Sequence, residues 1–277
     1  MKLVAKDYIL LAVVTSGLAI ASAILLPWRA AAALTAAVGA VSFLIVLCYR
    51  HLMSLMRSLA ADQSSESMVH YRQLESSIWL ASTLKVRQPL PFMRGMAISP
   101  DFGALLAQTL LSHNPRTIVE LGCGTSTLVS CYILEQLGGD GRVVSIDHDE
   151  KFAAICRQQL LEHGLQHRVT IYHCPLVSQT VEGQRVEYYD LSRASLPDAI
   201  DVLVVDGPPQ WTGRLARYPA FPLLGRLLTP SAVVLVDDAS RPDEKTMVKR
   251  WLTDNPGLEE RYLETEKGTA ILKYQLK

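Results

Sequence analysis

The sequence predicts an α/β fold: an open, mostly parallel sheet with helices on both faces, preceded by an apolar helical hairpin. Three observations carry that expectation. Five short runs rich in β-branched residues, Ile118–Leu121, Val143–Ile146, Val169–Tyr172, Val202–Val205 and Val233–Val236, alternate with helical stretches such as Thr125–Leu137, Lys151–His163 and Lys245–Thr253. Two charge-free apolar stretches, 8–26 and 30–49, stand near the N-terminus. A turn containing two glycines joins the first β-branched run directly to a helix.

The 277 residues include 49% apolar and 19% charged side chains, the latter below the roughly 25% usual in soluble domains. The deficit is local, because only Lys2, Lys6, Asp7 and Arg29 are charged among residues 1–49. Lys+Arg and Asp+Glu balance at 27 each, so no basic field recruits nucleic acid. Five cysteines, without a C-x-x-C pair, suggest neither a zinc site nor a disulfide framework.

Taken in order, Tyr8–Leu26 and Ala30–Tyr49 are each long enough at 1.5 Å per residue to cross about 30 Å of hydrocarbon. Pro27-Trp28-Arg29 between them gives a tight turn with headgroup-layer residues. Gly17/Ala21 and Ala32/Ala36/Ala40 either let the helices approach closely or only reflect helix propensity. A cleaved signal peptide ending at Ala30-Ala31-Ala32 is the weaker reading, because the second apolar stretch follows at once. Lys2, Lys6, Arg50 and Arg57 flank the pair while the turn holds only Arg29, which places both termini and the large C-terminal part in the cytoplasm. The expectation is a two-pass protein of the cytoplasmic membrane with its hairpin in residues 1–50 and the bilayer as its partner.

Residues 51–94 read as a helical stalk. Leu52, Leu55, Met56 and Leu59 recur at helical spacing, Asp62–Ser67 interrupts them, and Met68, Tyr71, Leu74 and Ile78 resume the pattern. That stripe packs on the following domain or pairs with a second copy, the hairpin and stalk together then supporting a homo-oligomer. Pro89-Leu90-Pro91 ends the helix, and Arg94–Pro100 leads extended into the domain of residues 95–277.

In an open parallel sheet a ligand lies beyond the carboxyl ends of the strands. The first strand ends in Glu120-Leu121-Gly122-Cys123-Gly124-Thr125-Ser126-Thr127, where glycines admit a ligand to the backbone and the next helix offers unpaired N–H groups. Thr127 stands where a dinucleotide fingerprint has its third glycine, and the acid Glu120 disfavours a phosphate. The second strand ends at Asp147, an acid suited to both hydroxyls of a ribose; capping of the next helix is its alternative role, alongside Asp149. This set favours a nucleoside carrying a cationic or zwitterionic group, a description that S-adenosylmethionine (SAM) meets.

From about Met96 to Tyr274 the chain resembles a class I SAM-dependent methyltransferase. Glu120–Thr127, Val143-Val144-Ser145-Ile146-Asp147 and Gly164–Ile171 are similar to catechol O-methyltransferase and its relatives. Asp206-Gly207-Pro208-Pro209 followed by Val236-Asp237-Asp238-Ala239 resembles a bacterial branch of methyltransferases. The resemblance implies a Rossmann-like seven-stranded sheet in the order 3-2-1-4-5-7-6. It also implies a cofactor site of Glu120, Gly122, Cys123, Gly124, Thr125, Thr127, Asp147 and His148, with Met96, Ile98 and Ser99 over the cofactor and Cys174 beside the adenine. It does not reach residues 1–90.

Asp206 closes the fourth strand and Asp237 and Asp238 the fifth, an oxygen donor set suited to Mg²⁺ or another divalent cation. In metal-dependent O-methyltransferases acids at such positions hold a cation that activates the acceptor hydroxyl. The alternative leaves Asp237 and Asp238 on backbone N–H groups and Asp206 toward solvent. Pro209 and Pro208 occupy the positions where the resembled enzymes carry a lysine or an aspartate base, so the base is open among Asp206, His148 and His173.

Trp211, Arg214, Arg217 and Tyr218 in the loop 210–222 are candidates for acceptor binding, through stacking and bidentate anion contacts, or are ordinary solvated side chains. Val181–Tyr189 reads as a hairpin insertion over the site, or as a segment whose Tyr188 and Tyr189 only pack. The expected function is methylation of a membrane-associated hydroxyl, such as that of a lipid-linked glycan or a small molecule. A catalytically inactive scaffold on the same fold and aminopropyl transfer are the alternatives.

Overall fold

The computed structural model describes residues 13–17, 20–21, 24 and 27–274. Two compact units divide the chain, Met1–Met68 and Val69–Lys277. The first apolar stretch, 8–26, lies largely outside the described residues; the second falls within α1 (Trp28–Thr83). By length and composition α1 can cross a membrane, and it is the one such helix among the described residues. Within the first unit Val41, Phe43, Leu44 and Ile45 are exposed on it.

In the second unit, α2 (Pro100–His113) opens with proline at its first turn, where a missing N–H costs nothing, and ends at Asn114 in the left-handed conformation. Next come β1 (Thr117–Leu121), α3 (Thr125–Leu137), β2 (Arg142–Asp147), α4 (Glu150–Glu162) and β3 (Val169–His173). A hairpin of β4 (Leu176–Val181) and β5 (Gln184–Tyr189) follows, then β6 (Ile200–Val205), the short α5 (Ala220–Leu224) and β7 (Leu228–Val236). The chain closes with α6 (Pro242–Asp254), β8 (Leu258–Leu263) and β9 (Thr269–Tyr274).

The sheet runs β3-β2-β1-β6-β7-β9-β8, and β4-β5 form a separate two-stranded sheet. With that hairpin set aside, the order is the expected 3-2-1-4-5-7-6. All neighbours from β3 to β7 pair in parallel, and β9 alone runs antiparallel to both of its neighbours. Central β1 is buried on both sides because helices cover both faces, and Glu120 is its one buried acid. One core joins α2, α3 and the end of α1 through Phe102, Leu106, Tyr132 and Leu80. The other joins the hairpin, α5 and α6 through Tyr189, Phe221 and Trp251.

The end of α1 packs differently from the sequence expectation. Tyr71, Leu74 and Ile78 stay exposed, while Leu80 and Leu84 are buried. Gln73 makes a two-way contact with Asp101, donating to its carboxylate at 2.8 Å and accepting its backbone N–H at 3.2 Å. The same carboxylate accepts from Ser99 and from the Glu266 backbone, tying helix, approach segment and the β8–β9 turn together. An apolar spacing marks a helical face; which face meets the sheet was settled by this polar tie.

Candidate active site

The carboxyl ends of β1, β2 and β6 open into a cavity of about 330 Å³. Its wall contains Gly122, Cys123, Gly124 and Thr125, then Asp147, His148, Asp206, Met96 and Trp211. Gly122 has φ 97°, a backbone that strains any residue with a Cβ, and it passes the Asp206 carbonyl group closely enough that a Cβ would touch it at 3.4 Å. Its N–H donates to the Ile146 carbonyl at 2.8 Å, which holds the turn against β2.

The Asp147 carboxylate accepts the Cys123 N–H and the Asp149 N–H, each at 2.9 Å, with His148 Nδ1 3.4 Å away. Burial alone would raise its pKa, but these hydrogen bonds, with that from the Cys123 side chain, outweigh it and hold the group below the usual carboxylate range. It is therefore ionised at neutral pH, with its lone pairs at the cavity wall. The helix-capping role falls to Asp149, which accepts the Lys151 N–H at 2.8 Å.

Glu120 does not line the cavity. It is fully buried behind the turn, where one carboxyl oxygen accepts from the hydroxyls of Thr127 and Ser145 and the other has no partner among the described residues. Burial pushes its pKa up to about 7 against the opposing hydrogen bonds. A raised folded-state pKa gives stability that is complete below the unfolded value and lost as pH rises through about 7. The raised value implies a loss of about 3 kcal/mol by pH 8. Glu120→Gln should therefore flatten the pH dependence of thermal unfolding between pH 4.5 and 8; a profile unchanged from wild type would rule out this origin.

Several other candidates also stand away from the cavity. Thr127 serves the turn, accepting the Gly124 N–H at 3.0 Å and donating to Glu120. Ile98 and Ser99 are buried in the approach segment, and Met96 alone of that trio reaches the wall. Cys174 is buried under the hairpin, its N–H bound to the Asp147 carbonyl at 2.8 Å. His173 turns to the His148 carbonyl at 3.2 Å and to Glu150 at 3.4 Å, and so is not placed as a base. Alternation along β3 and the departure of β4 direct His173 and Cys174 away.

In the loop after β6, Trp211 is exposed at the mouth and Arg214 is exposed. Tyr218 is buried, its hydroxyl on Glu182 and its ring under Arg250, outside the cavity. Arg217 is also no mouth residue. It is buried among the acids, with Nη2 2.8 Å from Asp238 and 3.2 Å from Asp206.

The three aspartates do converge: one oxygen from each lies within 4.8 Å of the others. Asp206 reaches the cavity wall, while Asp237 and Asp238 are buried below it. Burial, against the pull of Arg217, pushes Asp206 up to about 6; burial and its neighbours Asp206 and Asp238 push Asp237 up to about 8. Cations of the chain itself already stand at this donor set. Arg217 bridges two of the acids, Arg241 reaches Asp238 at 2.8 Å, and Lys267 lies 3.7 Å from Asp237. A guanidinium repels a divalent ion about 4 Å away by roughly 8 kcal/mol at an effective dielectric of about 20, which offsets the attraction of about one carboxylate at the same distance.

The sequence reading missed two parts of the wall. Tyr189 lines the cavity with a buried hydroxyl that has no hydrogen-bond partner among the described residues, and a Cβ at Gly207 would overlap it. Burial pushes this phenol up, so it is a donor and not a base. The second part is the α4 face of Phe152, Ile155, Cys156 and Gln159. Its spacing of three and four residues directly after Asp147 was a readable signal.

Residues 119–239 match the family model described as "Methyltransferase domain". No curated protein matches the chain. Among solved structures, the chain is similar to the O-methyltransferase TomG of Streptomyces achromogenes, solved with SAM, at 20% identity and a TM-score of 0.52, covering 73% of this chain and 96% of that one. It is similar also to the methyltransferase PaMTH1 of Podospora anserina, solved with SAH, at 16% identity and a TM-score of 0.51, covering 78% and 96%. These two likenesses concern the fold. The family match covers the strands that build the cavity, so residues 119–239 match a methyltransferase domain, and the fold around them is that of methyltransferases solved with SAM or SAH.

Proposed function

We propose that this domain methylates an oxygen of a membrane-associated acceptor, with Asp206 taking the proton. The observation that carries the reading is the convergence, in one cavity, of the glycine turn, the ionised Asp147 and the carboxylate of Asp206. SAM supplies an electrophilic methyl group on a sulfonium, so that transfer to an acceptor hydroxyl forms a C–O bond, breaks an S–C bond and releases one proton. Asp147 holds the ribose hydroxyls through its remaining lone pairs. The first-turn N–H groups of α3 would suit the carboxylate of SAM's methionine part. Asp206, raised toward neutrality by burial, suits proton acceptance near pH 7.

The acceptor side is apolar: Phe92, Met96 and Trp211 are exposed at the cavity wall, a surface for a lipid-linked or aromatic group. The charge-free stretches 8–26 and 30–49 support a two-pass anchor that keeps the domain on the cytoplasmic side. The O-methyltransferase among the structures of like fold supports an oxygen acceptor.

The test incubates the detergent-purified full-length protein with methyl-labelled SAM and a membrane lipid extract. Label should enter the organic phase only with protein present, and the protein should resist alkaline extraction from membranes. Label confined to water-soluble products would sink the membrane acceptor, and release by alkali would sink the anchor.

A further inference from the structure

Arg217 is the charged group that the proposed reaction leaves without a role, and its surroundings are unusual. It arises in the loop between β6 and β7, where an exposed position is the default for arginine, yet its side chain is 4% exposed. Its guanidinium reaches the ends of both strands. Nη2 donates to the Asp206 carbonyl at 2.9 Å, Nη1 to the Asp237 carbonyl at 3.0 Å, and Nε to the Pro208 carbonyl at 3.3 Å. The same Nη2 contacts the carboxylates of Asp206 and Asp238. Asp238 sits at φ 60°, a left-handed backbone that aspartate tolerates and that is held here by two arginines, Arg217 and Arg241.

We propose that Arg217 is the resident cation of the Asp206/Asp237/Asp238 cluster, so that the domain works without a divalent metal and Arg217 positions the Asp206 carboxylate at the cavity wall. A guanidinium is always charged, and its planar fork can serve two carboxylates and three carbonyls at once, which a lysine's point charge cannot. Lys267, which also donates to the Ala97 carbonyl at 2.9 Å, brings a further positive charge from the β8–β9 turn to 3.7 Å from Asp237, whose carboxyl oxygens have no hydrogen-bond partner among the described residues. Glu244 adds a fourth acid 3.9 Å from Arg217. An entering divalent ion would have to displace a buried guanidinium whose three nitrogens are all hydrogen-bonded. Arg217 is a positioning residue: it acts on the reaction through Asp206.

The positioning role rests on the methyl-transfer reading; the metal arm does not. Mn²⁺ is titrated into the full-length protein and followed by electron paramagnetic resonance. Wild type should show no saturable binding through the millimolar range. Saturable micromolar binding that Asp238→Asn abolishes would overturn the proposal without any activity measurement. Where label transfer is observed, chelator should leave it unchanged; loss restored by Mn²⁺ would likewise overturn it. Arg217→Ala should lower kcat about tenfold or more while SAM affinity stays within about threefold, and Arg217→Lys should recover part of the loss. Equal kcat in all three proteins would refute the positioning role. Absence of methyl transfer under all conditions would count against the functional reading, and the Mn²⁺ titration would still decide the arginine's.

Discussion

Replacing Asp147 with alanine is expected to weaken SAM binding about 30- to 150-fold, roughly 2 to 3 kcal/mol, the range for losing charge-assisted hydrogen bonds. The carboxylate is the ionised acid at the end of β2, and it has two tasks. It holds the Cys123 N–H of the glycine turn and the Asp149 N–H at the start of α4, and it faces the cavity. Alanine removes both tasks. Asp147→Asn keeps the side-chain volume and one carbonyl oxygen, so its loss should be intermediate. Calorimetric titration of SAM into wild type and the two variants is the measurement. Affinity unchanged in Asp147→Ala would remove the ribose assignment.

Asp206→Asn should lower turnover by about 10²- to 10⁴-fold, the usual worth of a general base, and leave SAM affinity within about threefold. Asparagine retains an oxygen for Arg217 and nearly the same shape, so the strand ends stay tied. What it removes is the capacity to accept the acceptor's proton. His148 is the one histidine candidate at the cavity wall, and its Nδ1 is turned to Asp147. Single-turnover transfer of labelled methyl, measured beside the binding titration, separates the two quantities. Turnover within tenfold of wild type would move the base elsewhere, and a collapse of SAM affinity would place Asp206 in the cofactor site.

The alternation of strands and helices and the bounds of α3 were legible in the sequence because they follow from local periodicity and capping, whereas the sheet order was an implication of the methyltransferase resemblance. The convergence of Gly122–Thr125, Asp147 and Asp206 was legible for a topological reason. In a parallel sheet every strand ends at the same edge, so the residues after adjacent strands become neighbours in space.

The folding of the loops was not legible. Trp211 and Arg217 lie six residues apart, yet one is exposed at the mouth and the other is buried under the strand ends. Nothing in local spacing separates them, because the direction of Arg217 depends on acids supplied by β6 and β7. Tyr189 reaches the cavity through the placement of a whole hairpin beside Gly207. The exposed stripe Tyr71, Leu74 and Ile78 makes the same point for α1, whose packing side was decided by Gln73 meeting Asp101, twenty-eight residues away. By itself the sequence determined the sheet, its glycine turn and the acids at its edge, since each is set by neighbours along the chain. Only the tertiary structure decided what neutralises those acids and what closes the cavity, since burial and charge pairing are settled between segments distant in sequence.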